Sequence, residues 1–382
     1  MKLTAHAALT DVGVLRKANQ DAVAVLPELG LLAVADGMGG LEKGEVASAA
    51  AIGLVHDASK ALGEIIQRVD ADPSSVSRMN LAGALEQINE LASHRIQQLT
   101  HGANSGTTLV TAVIAGGHLM VSNVGDSRAY LFRDGSLRLL TDDHTVAAAQ
   151  LRAGNMTPEE YEHSPYQHML YQALGIRNEL DPDIFDEPLA AGDLVLLCSD
   201  GLTGPVPDAA LAKILAEGPS DLDELATTLV QHANDNGGPD NITVALARVE
   251  ADDLPAANAI EADRDALADS GLGRGLTGLD LRILRHFVDH VSLQSGGEVD
   301  LSDGLHVVLA GSIEVDGTTF GPGEVAGLPY FASPTGDPPL AVATEDGAAL
   351  VLSRTAAEHL ETRRPRAGAR VYRALLRQAF KA

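Results

Sequence analysis

The sequence predicts an α+β fold followed by a second, smaller domain. Three observations carry this. Short apolar or alternating segments, punctuated by glycine and aspartate, dominate the first 250 residues. Two long helical stretches interrupt them as a pair, rather than alternating with them strand by strand. After Glu250 the pattern decays, and a new series of short strand-like segments begins near residue 307.

The elements follow in order. Val23 to Leu26 and Leu31 to Ala35 are strands, the second a fully apolar run that ends on Asp36. Ala47 to Val69 and Val76 to Leu99 carry apolar residues at three- and four-residue intervals, the signature of amphipathic helices, with Asp72-Pro73-Ser74-Ser75 as the break. Thr107 to Ala115 and His118 to Asn123 flank the hairpin turn Gly116-Gly117, and Ala129 to Arg133 and Leu137 to Leu140 flank Asp134-Gly135. Leu194 to Cys198 is another apolar strand. Helices follow at Asp208 to Leu215 and Leu222 to His232, then a strand at Ile242 to Ala247. Residues 251–278 read as a linker that allows a short helix near Ile260 to Leu267. The second domain, 279–382, opens with a helix over Asp280 to His290. It continues with strands at Val307 to Gly311, Ile313 to Gly317 and Phe320 to Gly327, and closes with helix from Ala356 to Phe380, broken near Pro365.

Composition narrows the function classes. The 382 residues hold 27 basic and 53 acidic side chains, a net charge of -26. That balance disfavours nonspecific binding to nucleic acid or to an anionic membrane, both of which need basic surface. Trp is absent and aromatics are 3%, so the cores are aliphatic. Cys198 is the sole cysteine, so no intramolecular disulfide forms, which fits a reducing compartment. In its apolar run it reads as a buried, inert thiol. The start of the chain, Met1 to His6, lacks the apolar core of a signal peptide. No apolar run approaches the ~20 residues that span a bilayer. The expected setting is the cytoplasm.

The chemistry concentrates where strands end in aspartate. Asp36-Gly37-Met38-Gly39-Gly40 follows one apolar run and Ser199-Asp200-Gly201 another. Gly125-Asp126-Ser127-Arg128 is a third such corner, and Asp240-Asn241 opens a strand. A carboxylate beside glycines grips a hard cation while the backbone approaches closely. Several together suggest a site for more than one ion, and oxygen ligands without a local Cys/His set suit Mg²⁺ or Mn²⁺ better than zinc.

In chain order, Arg16-Lys17-Ala18-Asn19-Gln20-Asp21, Asp36 to Gly40, Ser105-Gly106-Thr107-Thr108, Gly125 to Arg128, Ser199-Asp200-Gly201-Leu202 and Asp240-Asn241-Ile242-Thr243 resemble the PPM family. These are the metal-dependent serine/threonine protein phosphatases of type 2C. The resemblance covers residues 1–250. It implies a four-layer α/β/β/α sandwich of two antiparallel sheets, and hydrolysis of phosphoserine and phosphothreonine by a metal-bridging water. It implies that Asp36 bridges two Mn²⁺ or Mg²⁺ ions, that the Gly37 carbonyl binds one, and that Asp200 and Asp240 hold the other. Asp126 with Asp200 matches the pair that holds a third ion. Asp21 orients waters from outside the ligand set, and Arg16 binds the phosphate. The chain departs from some relatives at Met38, where a histidine protonates the leaving group, and at Gln20, where a glutamate stands. The general acid is therefore unassigned. Asp143-His144 to Leu174-Gly175 matches the family's flap, and its His144, His163 and His168 are expected to face solvent or bond locally.

The second domain resembles the cyclic-nucleotide-binding domain, a β-roll framed by helices, through Asp303 to Gly311 and Pro322-Gly323-Glu324-Val325-Ala326-Gly327. Leu328 falls at that family's ribose-binding glutamate. Asp337, Pro338 or Pro339 falls near its phosphate-binding arginine. An anionic phosphate needs a cationic partner there, so the expectation is a fold that has lost its ligand and serves packing, regulation or dimerisation. The leading reading is a protein phosphatase that opposes a Ser/Thr kinase. The alternatives are a catalytically weak signalling scaffold and a cyclic-nucleotide-regulated phosphatase.

Overall fold

The computed structural model describes residues 3, 5–39, 43–101, 105–176, 180–250, 254–302, 304–332 and 338–379. Gly40, Asp303, Asp337 and Phe380, together with Met1, Lys2, Thr4 and residues 251–253, lie outside the described residues. The chain divides into two compact units, 1–73 with 80–255, and 74–79 with 256–382.

The first unit begins with β1 (Ala5–Asp11), β2 (Asp21–Leu26), β3 (Leu31–Met38), α1 (Lys43–Asp57), α2 (Ser59–Ala71) and α3 (Ser75–Leu99). Strands β4 (Gly106–Thr107), β5 (Leu109–Ala115), β6 (His118–Val124), β7 (Arg128–Arg133) and β8 (Ser136–Leu139) follow. Next come α4 (Val146–Arg152), α5 (Pro158–Glu162), β9 (Asp183–Pro188), β10 (Leu194–Cys198), α6 (Asp200–Thr203), α7 (Asp208–Glu217), α8 (Leu222–Asp235) and β11 (Ile242–Arg248). They form two antiparallel sheets, β1-β11-β10-β7-β8 and β2-β3-β5-β6-β9, with β4 paired to β3.

Period-two alternation explains how the sheets are buried. Leu32, Val34 and Val110 of one sheet share an apolar cluster with Leu131, Val195 and Ala245 of the other. The alternate residues Leu31, Ala33 and Val113 pack with Val55 of α1, Leu62 of α2 and Leu85 of α3. Tyr130, Leu196 and Val244 pack with Leu211 of α7 and Leu225 of α8.

The expected single helix from Ala47 to Val69 is two, α1 and α2, but Ala58 between them keeps helical angles and its i→i−4 bond to Leu54. Two edge strands escape sequence reading. β1 is rich in alanine, which favours helix over strand. β9, Asp-Ile-Phe-Asp-Glu-Pro, is acidic, yet its charges are matched: His118 Nδ1 lies 2.8 Å from Asp186, and Arg138 donates to Glu187 at 2.8 Å. A charged edge also resists pairing with other chains.

In the second unit, α9 (Ala257–Asp269) and α10 (Gly278–His286) precede β12 (Asp289–Leu293), β13 (Gly304–Val315), β14 (Thr318–Phe320) and β15 (Val325–Ala326). Then come α11 (Leu328–Ala332), β16 (Ala341–Ser353), α12 (Arg354–Arg363) and α13 (Pro365–Ala379). The sheet order is β12-β16-β13-β14, with β15 on β13. The stretch expected as linker over 251–278 thus contains α9, and residues from Ala256 onward belong to this unit. The helix expected to reach His290 ends at His286, because Asp289 to Leu293 pairs with β16 instead. The strands expected at Val307 to Gly311 and Ile313 to Gly317 are one strand. It bulges where Gly311 takes φ +76°, and Gly347 opposite lies so close that a Cβ there would fall 2.0 Å from the Ala310 carbonyl. Among the described residues, no helix is long and apolar enough to cross a membrane.

Candidate metal centre

The β2–β3 register sets Asp21 directly opposite Asp36. Both ends of the Asp36 peptide unit are pinned. Its N–H donates to Thr108 Oγ1 at 2.9 Å, and its carbonyl accepts from Thr107 Oγ1 at 2.8 Å and from the Thr108 N–H at 2.9 Å. The Thr108 and Ser127 hydroxyls lie 2.7 Å apart. The Ser105–Thr108 and Gly125–Arg128 motifs therefore hold Asp36 in place. Gly37 is a packing requirement: a Cβ there would lie 2.2 Å from the Gly44 carbonyl of α1 and 2.5 Å from that of Gln20. Gly201 has the same role beside Asp200, since its Cβ would fall 1.9 Å from the Asn241 carbonyl.

Asp21 Oδ2 accepts from the hydroxyls of Ser199 (2.8 Å) and Thr243 (2.7 Å). Its Oδ1, and Oδ1 of Asp200, are buried with no hydrogen-bond partner among the described residues. A buried carboxylate oxygen without a partner is costly, and a cation, or a water held by one, fits it. Asp126 is buried at the turn between β6 and β7. One ligand atom each of Asp126, His168 and Asp200 lie within 4.8 Å of one another.

Burial and mutual repulsion disfavour ionisation here. Burial, then Asp21, Asp200, Asp126 and Asp240, pushes the Asp36 carboxyl well above the usual range. Burial, then Asp200 and Asp143, pushes Asp126 up to about 8. Asp21 is pushed up to about 6, burial and the neighbouring carboxylates outweighing the two hydroxyl donors. A divalent ion offsets both burial and repulsion by favouring the ionised carboxylates, so the donor set fits hard cations.

Arg16 Nη2 donates to Asp240 Oδ2 at 2.6 Å, so the residue expected to bind phosphate sits against an expected metal ligand. Asn241 fastens this corner. Its Oδ1 accepts the Gln20 N–H at 2.8 Å, and its Nδ2 donates to the carbonyls of Val12 and Ala18, each at 2.9 Å. Asn241, Thr243 and Ser199 received no role in sequence reading, although they lie inside the quoted motifs. The signal was a small polar residue beside each strand-end aspartate. Arg128 forks onto Asp143 at 2.9 and 2.7 Å. Met38 and Gln20 stand as the sequence has them, Gln20 reaching the Gly39 carbonyl at 3.4 Å.

Of the three flap histidines, His163 bonds locally, whereas His144 is buried and bonds to distant segments. Buried His144 accepts at Nδ1 from the Gly125 N–H (3.2 Å) and from Gln172 (3.0 Å), and its Nε2 meets Asp183 at 3.0 Å. Exposed His163 meets the Glu159 carbonyl at 3.0 Å. His168 instead points Nδ1 at Asp200, 3.7 Å from Oδ2, and that carboxylate raises its pKa. Cys198 is buried, its thiol pushed up to about 12 by desolvation, as an inert core residue should be.

Known proteins resemble the first unit in sequence and in fold. Residues 16–247 match the family model described as Protein phosphatase 2C. The serine/threonine phosphatase stp of Listeria welshimeri is 35% identical over 240 residues, covering 62% of this chain and 92% of the relative. The serine/threonine protein phosphatase PstP of Mycobacterium tuberculosis is 36% identical over 246 residues, covering 64% of this chain and 45% of the relative. A crystal structure of the catalytic domain of PstP in complex with two manganese ions superposes with a TM-score of 0.53 at 34% identity, covering 64% of this chain and 98% of that one. With the motifs in order, the carboxylates gathered at one site and a family match across most of the first unit, the chain belongs to the protein phosphatase 2C family.

Proposed function

We propose that this chain is a metal-dependent phosphatase that removes phosphate from phosphoserine and phosphothreonine in other proteins. The observation that carries the reading is the pair of buried, unpartnered carboxylate oxygens, Asp21 Oδ1 and Asp200 Oδ1, among the described residues. They stand in an acidic site in a chain whose relatives are serine/threonine phosphatases.

In this reading Asp36, the Gly37 carbonyl, Asp200 and Asp240 would hold two Mn²⁺ or Mg²⁺ ions. Asp126 and Asp200 hold a third. When bound, the ions make hydroxide available near neutral pH and neutralise charge at phosphorus. Asp21, steadied by Ser199 and Thr243, orients water from outside the ligand set. Arg16 uses Nη2 on Asp240, which leaves further donors of its planar fork for phosphate oxygens. Met38 has no proton to give, so the leaving group is protonated by water or by a group outside this set. The scaffold alternative is weakened because Asp36, Asp200 and Asp240 are all retained.

Residues 1–250 form the phosphatase domain in this reading. The three apolar clusters of the first unit support a four-layer α/β/β/α arrangement. Residues 279–382 form a cyclic-nucleotide-binding-like β-roll that has lost its ligand. Leu328 is buried at the start of α11, and Arg354 is engaged with the carbonyls of Phe331 (2.6 Å) and Tyr330 (2.9 Å) rather than standing free for a phosphate. Its role is regulation or homodimerisation. The setting is cytoplasmic and the substrates are products of a Ser/Thr kinase, in keeping with the acidic composition and the lone buried cysteine.

The test is turnover of a phosphothreonine peptide. Chelation should abolish it and Mn²⁺ restore it. Asp36→Asn should lower kcat by several orders of magnitude, since the ions would lose a charged ligand. Near-normal turnover by that variant refutes the reading.

A further inference from the structure

We infer that His168, on the flap segment between α5 and β9, is a third protein ligand to the ion at Asp126 and Asp200, so that the flap is tied to the metal centre through an imidazole. The inference rests on the reading of Asp126 and Asp200 as ion ligands.

The geometry comes first. Donor atoms of Asp126, His168 and Asp200 lie within 4.8 Å of one another. Bonds of about 2.1 Å keep two donors on one ion no more than roughly 4.2 Å apart. A shift of a few tenths of an ångström therefore closes the triad, and the His168 side chain, 76% exposed, is free to make it. Asp200 Oδ1, in the same carboxylate that faces His168, is buried without a partner among the described residues.

The backbone then fixes where His168 stands. Its neighbour Met169 accepts the Val146 N–H at 2.8 Å, Leu170 bridges Thr145, and the Tyr171 N–H donates to the His144 carbonyl at 2.9 Å. His144 is the common anchor. It takes the Gly125 N–H, one residue before Asp126, and the Gln172 amide, four residues after His168, on the same ring nitrogen. One buried side chain thus sets the spacing between the Asp126 turn and the segment that carries His168.

The chemistry makes a distinction that carboxylates alone do not. Imidazole favours Mn²⁺ and later transition metals over Mg²⁺, whereas an all-oxygen set takes Mg²⁺ readily. The third ion should therefore be selective for Mn²⁺, and its binding should draw the flap toward the centre.

The experiment is Mn²⁺ and Mg²⁺ calorimetry on the full chain, with pulsed electron paramagnetic resonance of the Mn²⁺-loaded protein, for wild type, His168→Ala and Asp126→Asn. Wild type should bind a weaker ion beyond the tight pair and show ¹⁴N coupling to Mn²⁺. His168→Ala should lose the ¹⁴N coupling and weaken the third Mn²⁺ by on the order of 10–100-fold, with a much smaller change for Mg²⁺. Persistence of the coupling, or an unchanged weak-site Mn²⁺ isotherm, in His168→Ala overturns the inference. If Asp126→Asn abolishes the weak ion while His168→Ala keeps it, the Asp126–Asp200 reading stands and His168 alone is excluded. If Asp126→Asn keeps the weak ion, that reading fails and the inference falls with it.

Discussion

Replacing Asp126 by Asn should stabilise the metal-free protein, and by an amount that depends on pH. Burial and the neighbouring Asp200 and Asp143 push the Asp126 carboxyl up to about 8, against 3.8 for a free side chain. The folded state therefore holds a proton that the unfolded chain releases. The sign follows from proton counting: between these two values the native state binds more protons, so stability falls as pH rises. What is fully present below pH ~4 is lost as pH climbs through ~8, at about 1.4 kcal/mol per pH unit. At pH 7 the loss from this residue is at most about 4 kcal/mol. Asn fills a similar volume and does not titrate. Without metal, Asp126→Asn should be more stable than wild type by up to that amount at pH 7, and by none of it near pH 3.5. Hydrogen exchange of β10 and β11 amides in chelator-treated protein reads the first unit by itself. Saturating Mn²⁺ should narrow the difference, because an ion at 100 times its Kd adds about 2.7 kcal/mol to wild type alone. A difference that is flat with pH, or a metal-free variant less stable than wild type at pH 7, refutes the reasoning.

Arg16→Ala should raise KM for a phosphothreonine peptide, losing on the order of 1.5–3 kcal/mol of charge-assisted phosphate binding. Fold stability should barely move, because the Arg16–Asp240 pair is 51% and 34% exposed and such pairs contribute about 0–1 kcal/mol. Calorimetry should still show Mn²⁺ binding, and its disappearance would make Arg16 a structural residue. Neither cyclic AMP nor cyclic GMP should give a micromolar isotherm with the full chain, since Leu328 and the Pro338–Pro339 segment offer the cyclic phosphate no cation. A saturable isotherm would show the ligand residues to be elsewhere.

Much of the site was legible because its aspartates end apolar runs, and an apolar run that stops on a carboxylate is visible without any tertiary knowledge. Asp36, Asp126 and Asp200 were readable for that reason, while Asp240 opens a strand and Asp21 entered through the family resemblance. Asn241, Ser199 and Thr243 were not, because their work is done at sequence separations above 170 residues: Ser199 and Thr243 hold Asp21, and Asn241 holds the loop before it. His168 was read as facing solvent or bonding locally, and its side chain is 76% exposed; its approach to Asp200 is a tertiary contact that no local pattern signals. In the fold, strands with branched side chains declared themselves, while β1 and β9 did not. An edge strand need bury only part of one face, so alanine or acid serves there. The bulge at Gly311 was mistaken for a strand end because glycine marks both.

The strand order of the first sheet sets a schedule for the growing chain. β11, the last strand of the unit, lies between β10 and β1, and β1 pairs with β11 alone in that sheet. The first strand therefore waits for residues 242–248 before it can dock. At a synthesis rate of about 5–20 residues per second, the interval is on the order of 10–50 s. Until then Asp240 has not been brought to Arg16, and the Asn241 latch on Val12, Ala18 and Gln20 is open. With Asp240 in the centre as proposed, no phosphatase activity should precede completion of the whole unit.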